Sequence, residues 1–466
     1  MFKLILFAII FSVPWESYAQ LAKRSPNIVI ILTDDQGYAD VGFNGSKEIP
    51  TPNIDRIAAN GTMFTSGYVS YAVCGPSRAG LITGRYQDKF GFAKNPLFAP
   101  NDSTMGLPLS EQTLGDYLQK ASYKTSIIGK WHLGAHQTLH PNQRGFDEFY
   151  GFLSGGHQYF PENLTLQDEF EVDSQFGAYR TKLLRNKERV EEKEYLTDAF
   201  SREAVSFIER NHEDPFFLFL SYNAPHAPMQ ATEKYLSRFP EISNEKRKTY
   251  AAMASAVDDG VGNILDLLKE LEIEENTIVF FLSDNGGPTP DNASDNKPLR
   301  GKKGDFFEGG VRVPFAVQWK GVIPKGTTYE YPIISLDIFG TIAGLIGTKT
   351  KHELDGVNLI PYLTGENQNA PHEALYWRNF NAERFAIRTL HDKMISGPNE
   401  QFLFDIKNDI SEKRNLASEN IAQLDGLADK INTWKSMLKD PLFMGLLEDE
   451  AYSKLHPDRY GRKSNQ

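Results

Sequence analysis

Apolar runs and polar motifs alternate regularly along the first part of the chain. Runs of branched and aromatic residues occupy 27–32, 125–128, 216–220 and 277–282. Their hydrophobicity is continuous rather than alternating, which is typical of strands buried on both faces of a parallel sheet. Helical patterns lie between and around them at 53–60, 110–121, 198–211 and 245–271. This succession of strands and helices predicts an α/β sheet with right-handed crossovers.

A short polar motif follows each apolar run. The side chains of interest in these motifs are Asp34, Asp35, Lys130, His132, His226, Asp284 and Asn285. In open α/β sheets, ligands bind beyond the carboxyl ends of the strands. We therefore expect these side chains to converge on one site, although they are far apart in sequence.

The pattern changes near residue 347. Short strand-like segments at 376–378, 385–390, 393–396 and 402–405 precede a helical stretch at 417–438. We predict a main domain at 20–350, a small α+β subdomain at 351–446 that packs on it, and a polar, mobile tail at 447–466.

The N-terminal segment has the pattern of a secretory signal peptide. Lys3 precedes an apolar run at 4–13, and Ser17-Tyr18-Ala19 forms a small-residue cleavage site. The apolar run is too short to span a bilayer, so it is not a transmembrane helix. We predict a signal peptide at 1–19, with a buried N-terminal helix as the alternative. The residue directly after Ala19 is Gln20 rather than a cysteine, and no longer apolar run exists, so we expect no membrane anchor. An exported chain with one cysteine is typical of the bacterial periplasm or the surrounding medium.

The charge balance limits the classes of partner. The formal net charge is -11, and nucleic-acid binding needs a basic face, so we exclude nucleic acid. An anionic substrate stays compatible with this charge, because a cationic pocket can lie on an acidic protein. The sequence leaves the oligomeric state open.

The two acidic motifs are candidate metal ligands. Asp34, Asp35, Asp284 and Asn285 offer oxygen atoms at two strand ends. Such hard ligands suit Ca²⁺ or Mg²⁺. Zn²⁺ fits less well, because no histidine pair or cysteine set has zinc-ligand spacing. The alternative is structural: Asp34 caps a helix, and Asp284 and Asn285 belong to a turn.

Cys74 is the single cysteine of the chain, so it cannot form an intrachain disulfide. Gly75 and Pro76 follow it, which indicates the first turn of a helix. The N–H groups and the helix dipole at that position favour an anion. Arg78 follows one turn later and can lie on the same face. The alternative is that Cys74 is a small buried apolar residue.

The string Cys74-Gly-Pro-Ser-Arg78, followed by Thr83-Gly84-Arg85, resembles the signature of the type I, formylglycine-dependent sulfatases. Gly129-Lys130-Trp131-His132 and Ala224-Pro225-His226-x-Pro228 resemble two further motifs of that family, in the expected order. A fourth motif, Gly-Lys-Gly-x-x-x-Glu-Gly-Gly, aligns its lysine with Lys303 rather than Lys302, five residues before Glu308.

The resemblance implies an alkaline-phosphatase-like fold. That fold has a large mixed, mostly parallel sheet flanked by helices and a small C-terminal α+β subdomain with a short antiparallel sheet. It also implies that a formylglycine-generating maturation enzyme converts Cys74 to formylglycine (3-oxoalanine). The metal would be Ca²⁺, with Mg²⁺ as the alternative, held by Asp34, Asp35, Asp284, Asn285 and residue 74.

The resemblance also assigns catalytic roles. Arg78 and Lys130 hold the hydrated formylglycine, which attacks sulfur. His226, assisted by Lys303, protonates or stabilises the leaving oxygen, and His132 removes the proton that allows sulfate to depart. Lys130, His226 and Lys303 also bind the substrate. His157 is a further substrate contact by its position after the Lys130 motif, with an ordinary loop histidine as the alternative.

These features predict an exported sulfatase that hydrolyses sulfate monoesters. The expected substrate is a sulfated oligosaccharide derived from a polysaccharide. The alternatives are hydrolysis of aryl sulfates or of phosphate or phosphonate monoesters on the same fold. A non-enzymatic alternative is a protein that binds sulfated glycans.

Overall fold

A computed structural model describes residues 25–460 of the protein. The signal peptide that we predict at 1–19 lies outside these residues. The strands are β1 Asn27–Thr33, β2 Thr62–Phe64, β3 Gly67–Tyr68, β4 Lys124–Lys130, β5 Glu148–Phe152, β6 Leu183–Arg185, β7 Glu188–Val190, β8 Phe216–Ser221, β9 Thr277–Ser283, β10 Phe315–Gln318, β11 Thr327–Tyr329, β12 Ile333–Ile334, β13 Leu375–Asn379, β14 Arg384–Arg388, β15 Asp392–Gly397 and β16 Glu400–Asp405.

A ten-stranded mixed sheet forms the centre of the main domain, in the order β11-β2-β10-β9-β1-β8-β4-β5-β6-β7. The strands β9, β1, β8, β4 and β5 are mutually parallel. Antiparallel pairs extend this block on both sides, β9 with β10 and β5 with β6. The four apolar runs are thus neighbouring strands, and the predicted fold class is confirmed.

The continuous hydrophobicity of these strands reflects burial on both faces. Every residue of β1, β8 and β9 is buried. Alternate residues of β1 enter different cores: Ile28 and Ile30 pack on one side of the sheet, and Val29 and Ile31 on the other. In register, Leu32 of β1 lies opposite Leu282 and Ser221, so three strands end at the same edge.

Helices cover the two faces of the sheet. They are α1 Pro52–Ala59, α2 Cys74–Thr83, α3 Leu114–Lys120, α4 Leu196–Asn211, α5 Glu233–Leu236, α6 Glu245–Glu270, α7 Glu308–Val311, α8 Asp337–Ile346, α9 Ile360–Leu363, α10 Ile421–Lys435 and α11 Asp449–Leu455. The helix predicted from residue 110 begins only at Leu114, because Thr113 and Asp116 form a capping box there. Among residues 25–460, no helix is long and apolar enough to cross a membrane.

The C-terminal subdomain is an antiparallel sheet in the order β13-β14-β15-β16. Trp377 of β13 donates a hydrogen bond from Nε1 to Val69 O at 2.8 Å. Trp377 and Trp434 join one core with Tyr68 and Tyr86 of the main domain. The subdomain therefore packs against the segment that leads into Cys74.

The segment that we expected to be a polar, mobile tail, 447–466, packs on the main domain as far as it is described. Residues Asp449–Leu455 form α11, and Tyr452 donates a hydrogen bond to Asp102 Oδ2 at 2.7 Å. Tyr460 stacks on Phe98 with the ring centroids 6.4 Å apart. The two tyrosines are widely spaced among polar residues, so no hydrophobic pattern indicated their burial.

Candidate active site

The polar motifs converge at the carboxyl ends of the parallel strands. Asp34 and Asp35 follow β1, Asp284 and Asn285 follow β9, and Lys130 is the last residue of β4. The adjacent register of these strands places the five side chains together. The convergence that we predicted from the strand ends is what the structure shows.

Cys74 is the first residue of α2 and is 3% exposed. The backbone of Val73 is extended, so the helical conformation begins at Cys74 itself. Asn95 Oδ1 accepts a hydrogen bond from Gly75 N at 2.7 Å, which satisfies one free donor of the first turn. Lys303 Nζ lies 3.6 Å from Cys74 Sγ. The thiol thus lies at a positive helix end beside a fixed cation.

Arg78 fixes the start of α2 over the sheet edge. Its Nε and Nη2 lie 2.9 and 2.8 Å from Asp284 Oδ2. Its Nη1 donates to Ser221 Oγ at 2.5 Å, and Ser221 donates to Lys130 O at 2.7 Å. These charge-assisted bonds join α2 to the ends of β9, β8 and β4.

The acidic residues and the lysines form a dense buried cluster. Lys130 Nζ lies 2.6 Å from Asp34 Oδ2, and both side chains are fully buried. Lys303 Nζ lies 2.7 and 2.9 Å from the two carboxylate oxygens of Asp35. Asn285 Nδ2 donates to Asp35 Oδ1 at 2.6 Å. The structure brings Lys303, rather than Lys302, to this cluster.

The donor set fits a divalent cation. Asp34, Asp35 and Asp284 each offer an oxygen within 4.8 Å of the others. Asp34 Oδ1 and Asn285 Oδ1 are buried and have no hydrogen-bond partner among the described residues. Buried oxygen atoms of this kind are costly unless a ligand satisfies them. Oxygen ligands alone are what Ca²⁺ and Mg²⁺ prefer.

The carboxyl groups of this cluster have opposite pKa shifts. Burial would raise the pKa of Asp35, but Lys303 and His226 outweigh it and lower the pKa to about 2. Burial, and then the charge of Asp34, raises the pKa of Asp284 to about 6 although Arg78 opposes this. Close like charges separate pKa values in this way. A cation bound between Asp34 and Asp284 would reduce this local repulsion.

The two candidate histidines are held as neutral rings. Burial, helped by the neighbouring cations, lowers the pKa of His132 well below its usual value. Burial also lowers the pKa of His226 to about 3, although Asp35 opposes the shift. His226 Nδ1 lies 2.6 Å from Ala227 O, so Nδ1 carries the hydrogen and Nε2 faces Asp35 Oδ2 at 3.6 Å. His226 Nε2 is therefore the atom that can exchange a proton in the site.

His157 makes its described contacts with Phe152 and Gln158. Its ring is fully buried and stacks on Phe152 with centroids 4.5 Å apart. Its Nδ1 lies 3.2 Å from Gln158 O, and burial lowers its pKa to about 4. Its Nε2 is buried and has no hydrogen-bond partner among the described residues, and its role as a substrate contact stays a prediction.

The sequence analysis missed Gly155, Gly156 and Tyr179. A Cβ on Gly155 would lie 2.8 Å from His132 Nε2, so only glycine leaves room for that ring. A Cβ on Gly156 would lie 2.7 Å from the ring of Tyr179. Burial raises the pKa of Tyr179. The Gly155-Gly156 pair was the available signal for this close approach.

Comparisons with known proteins agree with this geometry. The family model "Sulfatase" matches residues 26–348, and the model "N-sulphoglucosamine sulphohydrolase, C-terminal" matches residues 302–435. N-acetylgalactosamine-6-sulfatase of Mus musculus is 36% identical over 370 residues, which cover 75% of this chain and 68% of that protein.

Two solved structures are also similar. The crystal structure of Ps i-CgsB in complex with k-i-k-neocarrahexaose is 40% identical with a TM-score of 0.86, covering 93% of this chain and 98% of that one. PsFucS1 sulfatase from Pseudoalteromonas sp. is 25% identical with a TM-score of 0.76, covering 91% and 92%. The chain therefore belongs to the sulfatase family and is a sulfuric ester hydrolase.

Proposed function

We propose that this sulfatase removes sulfate from sulfated oligosaccharides through a formylglycine made from Cys74. The observation that carries the mechanism is the placement of Cys74. It lies at the start of a buried helix, with Lys303 Nζ 3.6 Å from its sulfur, beside a carboxylate cluster that retains unpartnered oxygens. The residue that we propose as nucleophile, the proposed metal ligands and the fixed cations thus lie together.

Modification of Cys74 is supported by the state of its thiol. Burial raises the pKa of Cys74 although Lys130 and Lys303 oppose the shift. The sulfur is therefore protonated near neutral pH, and a thiol is a much weaker nucleophile than a thiolate. A hydrated aldehyde at this position supplies one hydroxyl for attack on sulfur and a second whose deprotonation allows sulfate to leave.

We propose Ca²⁺ as the metal, held by Asp34, Asp35, Asp284, Asn285 and residue 74. The unpartnered oxygens of Asp34 and Asn285 are the support for this assignment. When bound, the cation polarises the nucleophile and offsets the charge of the sulfate group. Mg²⁺ is the alternative with the same ligand chemistry.

The fixed cations stabilise the charge that develops on sulfate oxygens. Arg78, Lys130 and Lys303 are all held by carboxylates at 2.6 to 2.9 Å, so their positions need no rearrangement. Preorganised charge of this kind lowers the barrier where negative charge develops. The ammonium group of Lys130 extends from the end of β4 to Asp34, and that of Lys303 lies between Asp35 and Cys74.

The histidines move the protons. His226 presents Nε2 to the site, and we assign it, with Lys303, to the leaving oxygen. Its low pKa rises when an anionic substrate is bound beside it, because a nearby negative charge favours imidazolium. His132 is neutral and we assign it as the base that acts on residue 74.

The substrate class rests on the similar proteins. One structural neighbour is a complex with k-i-k-neocarrahexaose, and a curated relative is N-acetylgalactosamine-6-sulfatase. We therefore propose a sulfated oligosaccharide derived from a polysaccharide, and neocarrahexaose as the first compound to test. The signal pattern at 1–19 supports export to the periplasm or the medium, where such a polysaccharide is met.

Sulfate release from neocarrahexaose and a panel of sulfated saccharides tests this proposal. Ion chromatography would measure release by the wild type, by Cys74→Ala and by chelator-treated enzyme, after mass analysis of the Cys74 peptide. Release that is lost in both controls is the expected result. No release by enzyme that carries formylglycine would refute the saccharide assignment, and 4-nitrophenyl sulfate and phosphate would then identify the ester class.

A further inference from the structure

A cleft of about 260 Å³ lies between the main domain and the C-terminal subdomain. Its walls come from the segments 71–73, 93–95, 379–381 and 445–448, together with Gly304. Val73 precedes Cys74 and Gly304 follows Lys303, so two wall residues are chain neighbours of active-site residues. We propose that this cleft is a second saccharide subsite, which binds an uncharged sugar ring next to the sulfated one.

The cleft is connected to the nucleophile by hydrogen bonds. Asn95 accepts from Gly75 N at 2.7 Å, at the start of the helix that carries Cys74. Gly304 N donates to Ala72 O at 2.8 Å. A Cβ on Gly304 would meet nothing within 4 Å, so the chain next to Lys303 opens onto free space. Gly304 therefore presents no side chain to a ligand that would extend from the active site into the cleft.

The walls suit a sugar ring with hydroxyl groups. Leu446 and Leu447 are 38% and 86% exposed and offer apolar contact for a ring face. Asn95 Nδ2 and Asn381 Oδ1 have no hydrogen-bond partner among residues 25–460 and can bond to hydroxyls. Pockets of drug-sized ligands are about 300–1,000 Å³, so this smaller cleft fits a single ring.

The charges of the cleft argue against a second sulfate group. Lys94 Nζ lies 2.5 Å from Glu448 Oε1, so the lysine is already neutralised. Glu448 also accepts from Gly445 N at 2.8 Å, and Pro96 and Gly445 form a β-bridge. The C-terminal segment is thus fixed against the 93–95 loop. The chemistry of this wall is amide and apolar, which recognises an uncharged sugar.

This inference rests on the proposed function, and paired substrates test it. A bound neocarrahexaose would reach the cleft, whereas 4-nitrophenyl sulfate has no sugar ring to place there. Asn381→Ala and Leu447→Ala should lower kcat/KM for neocarrahexaose about tenfold more than for 4-nitrophenyl sulfate, the size of effect of one lost hydrogen bond or contact. The matched controls are Asn369→Ala and Leu455→Ala, whose exposed side chains lie outside the cleft. Equal losses on both substrates, or no loss, would overturn the subsite.

A binding measurement separates this result from failure of the proposed function. If wild-type enzyme with formylglycine hydrolyses 4-nitrophenyl sulfate but not neocarrahexaose, the proposed saccharide substrate is wrong. Calorimetry of neocarrahexaose binding to Cys74→Ala, with and without Asn381→Ala, then decides the subsite alone. About tenfold weaker binding in the double variant supports the cleft as a saccharide site, and unchanged or absent binding overturns it.

Discussion

Replacing Lys393 with methionine would test a buried charge network beneath the Lys303 loop. Lys393 of β15 lies 2.8 Å from Glu308 Oε1 and 3.2 Å from Glu412 Oε1, and all three side chains are fully buried. Glu308 also accepts from Tyr68 at 2.7 Å and pairs with Arg312 at 3.0 Å. Glu308 stands five residues after Lys303, so this network joins the C-terminal sheet to the catalytic loop.

The cost of Lys393→Met follows from the charges that remain. Removing one partner of a buried ion pair costs about 3–5 kcal/mol, because a charge is left uncompensated. Burial raises the pKa of Glu412 to about 7, so Glu412 can take up a proton near neutral pH at little cost. Glu308 keeps its ion pair with Arg312 in the variant. We therefore expect the lower end of the range, about 3 kcal/mol of unfolding free energy.

Calorimetric unfolding measures this loss. Because the entropy of unfolding grows with chain length, about 3 kcal/mol corresponds to a fall in Tm of only about 3 °C for a chain of this size. The double variant Lys393→Met/Glu308→Gln should recover part of the loss, since the buried carboxylate is gone. The single variant Glu308→Gln completes the double-mutant cycle.

Two results would refute this reasoning. A fall in Tm below about 1 °C for Lys393→Met would mean that the buried ammonium contributes little. Strict additivity of the two substitutions would mean that Lys393 and Glu308 are not coupled, whatever their separation.

Three further predictions concern proton linkage, ring position and the metal. Because the folded-state pKa of Glu412 is about 7 and its ordinary value is 4.5, its contribution to stability is full below pH 4.5 and is lost as the pH rises through 7. Glu412→Gln should flatten the fall of Tm across that window, and an unchanged profile would contradict the shift. Gly155→Ala should lower kcat for 4-nitrophenyl sulfate by about tenfold to a hundredfold, because the new Cβ would lie 2.8 Å from His132 Nε2. A Gly155→Ala variant with the kcat of the wild type would show that the His132 ring has room to move. Asp34→Asn should weaken Ca²⁺ binding, measured by calorimetry, by at least about tenfold, because the substitution removes a charged ligand and leaves Lys130 unpaired. An unchanged Ca²⁺ affinity would exclude Asp34 as a ligand.

The sequence was informative where hydrophobic runs and chemistry coincide. Continuous apolar runs identified the central strands, and the polar residues that follow them identified the cluster around Asp34 and Asp284. This works because parallel strands must be buried on both faces and must end at a common edge. Ser221 could have been found by the same reasoning, since it is the polar last residue of β8.

The remaining features depend on contacts that no local pattern records. The direction of the His157 ring is set by stacking on Phe152, not by its place after the Lys130 motif. Tyr179 lies in the short 3₁₀ helix Gly177–Arg180, and its ring packs closely on Gly156, where a Cβ would lie 2.7 Å from it. The burial of Tyr452 depends on Asp102, which lies far away in sequence. Tertiary contacts of this kind override local sequence preference.

The pairing of acids with bases around Cys74 has a consequence for the order of assembly. The carboxylates of Asp34, Asp35 and Asp284 are opposed by Arg78, Lys130 and Lys303, so their formal charges cancel. Many metal sites are collections of anions that stay unfolded until a cation arrives. Here the lysines and the arginine already serve as internal counter-ions. We therefore expect the polypeptide to reach its native shape without the divalent ion that we propose, and that ion to affect reactivity rather than create the fold.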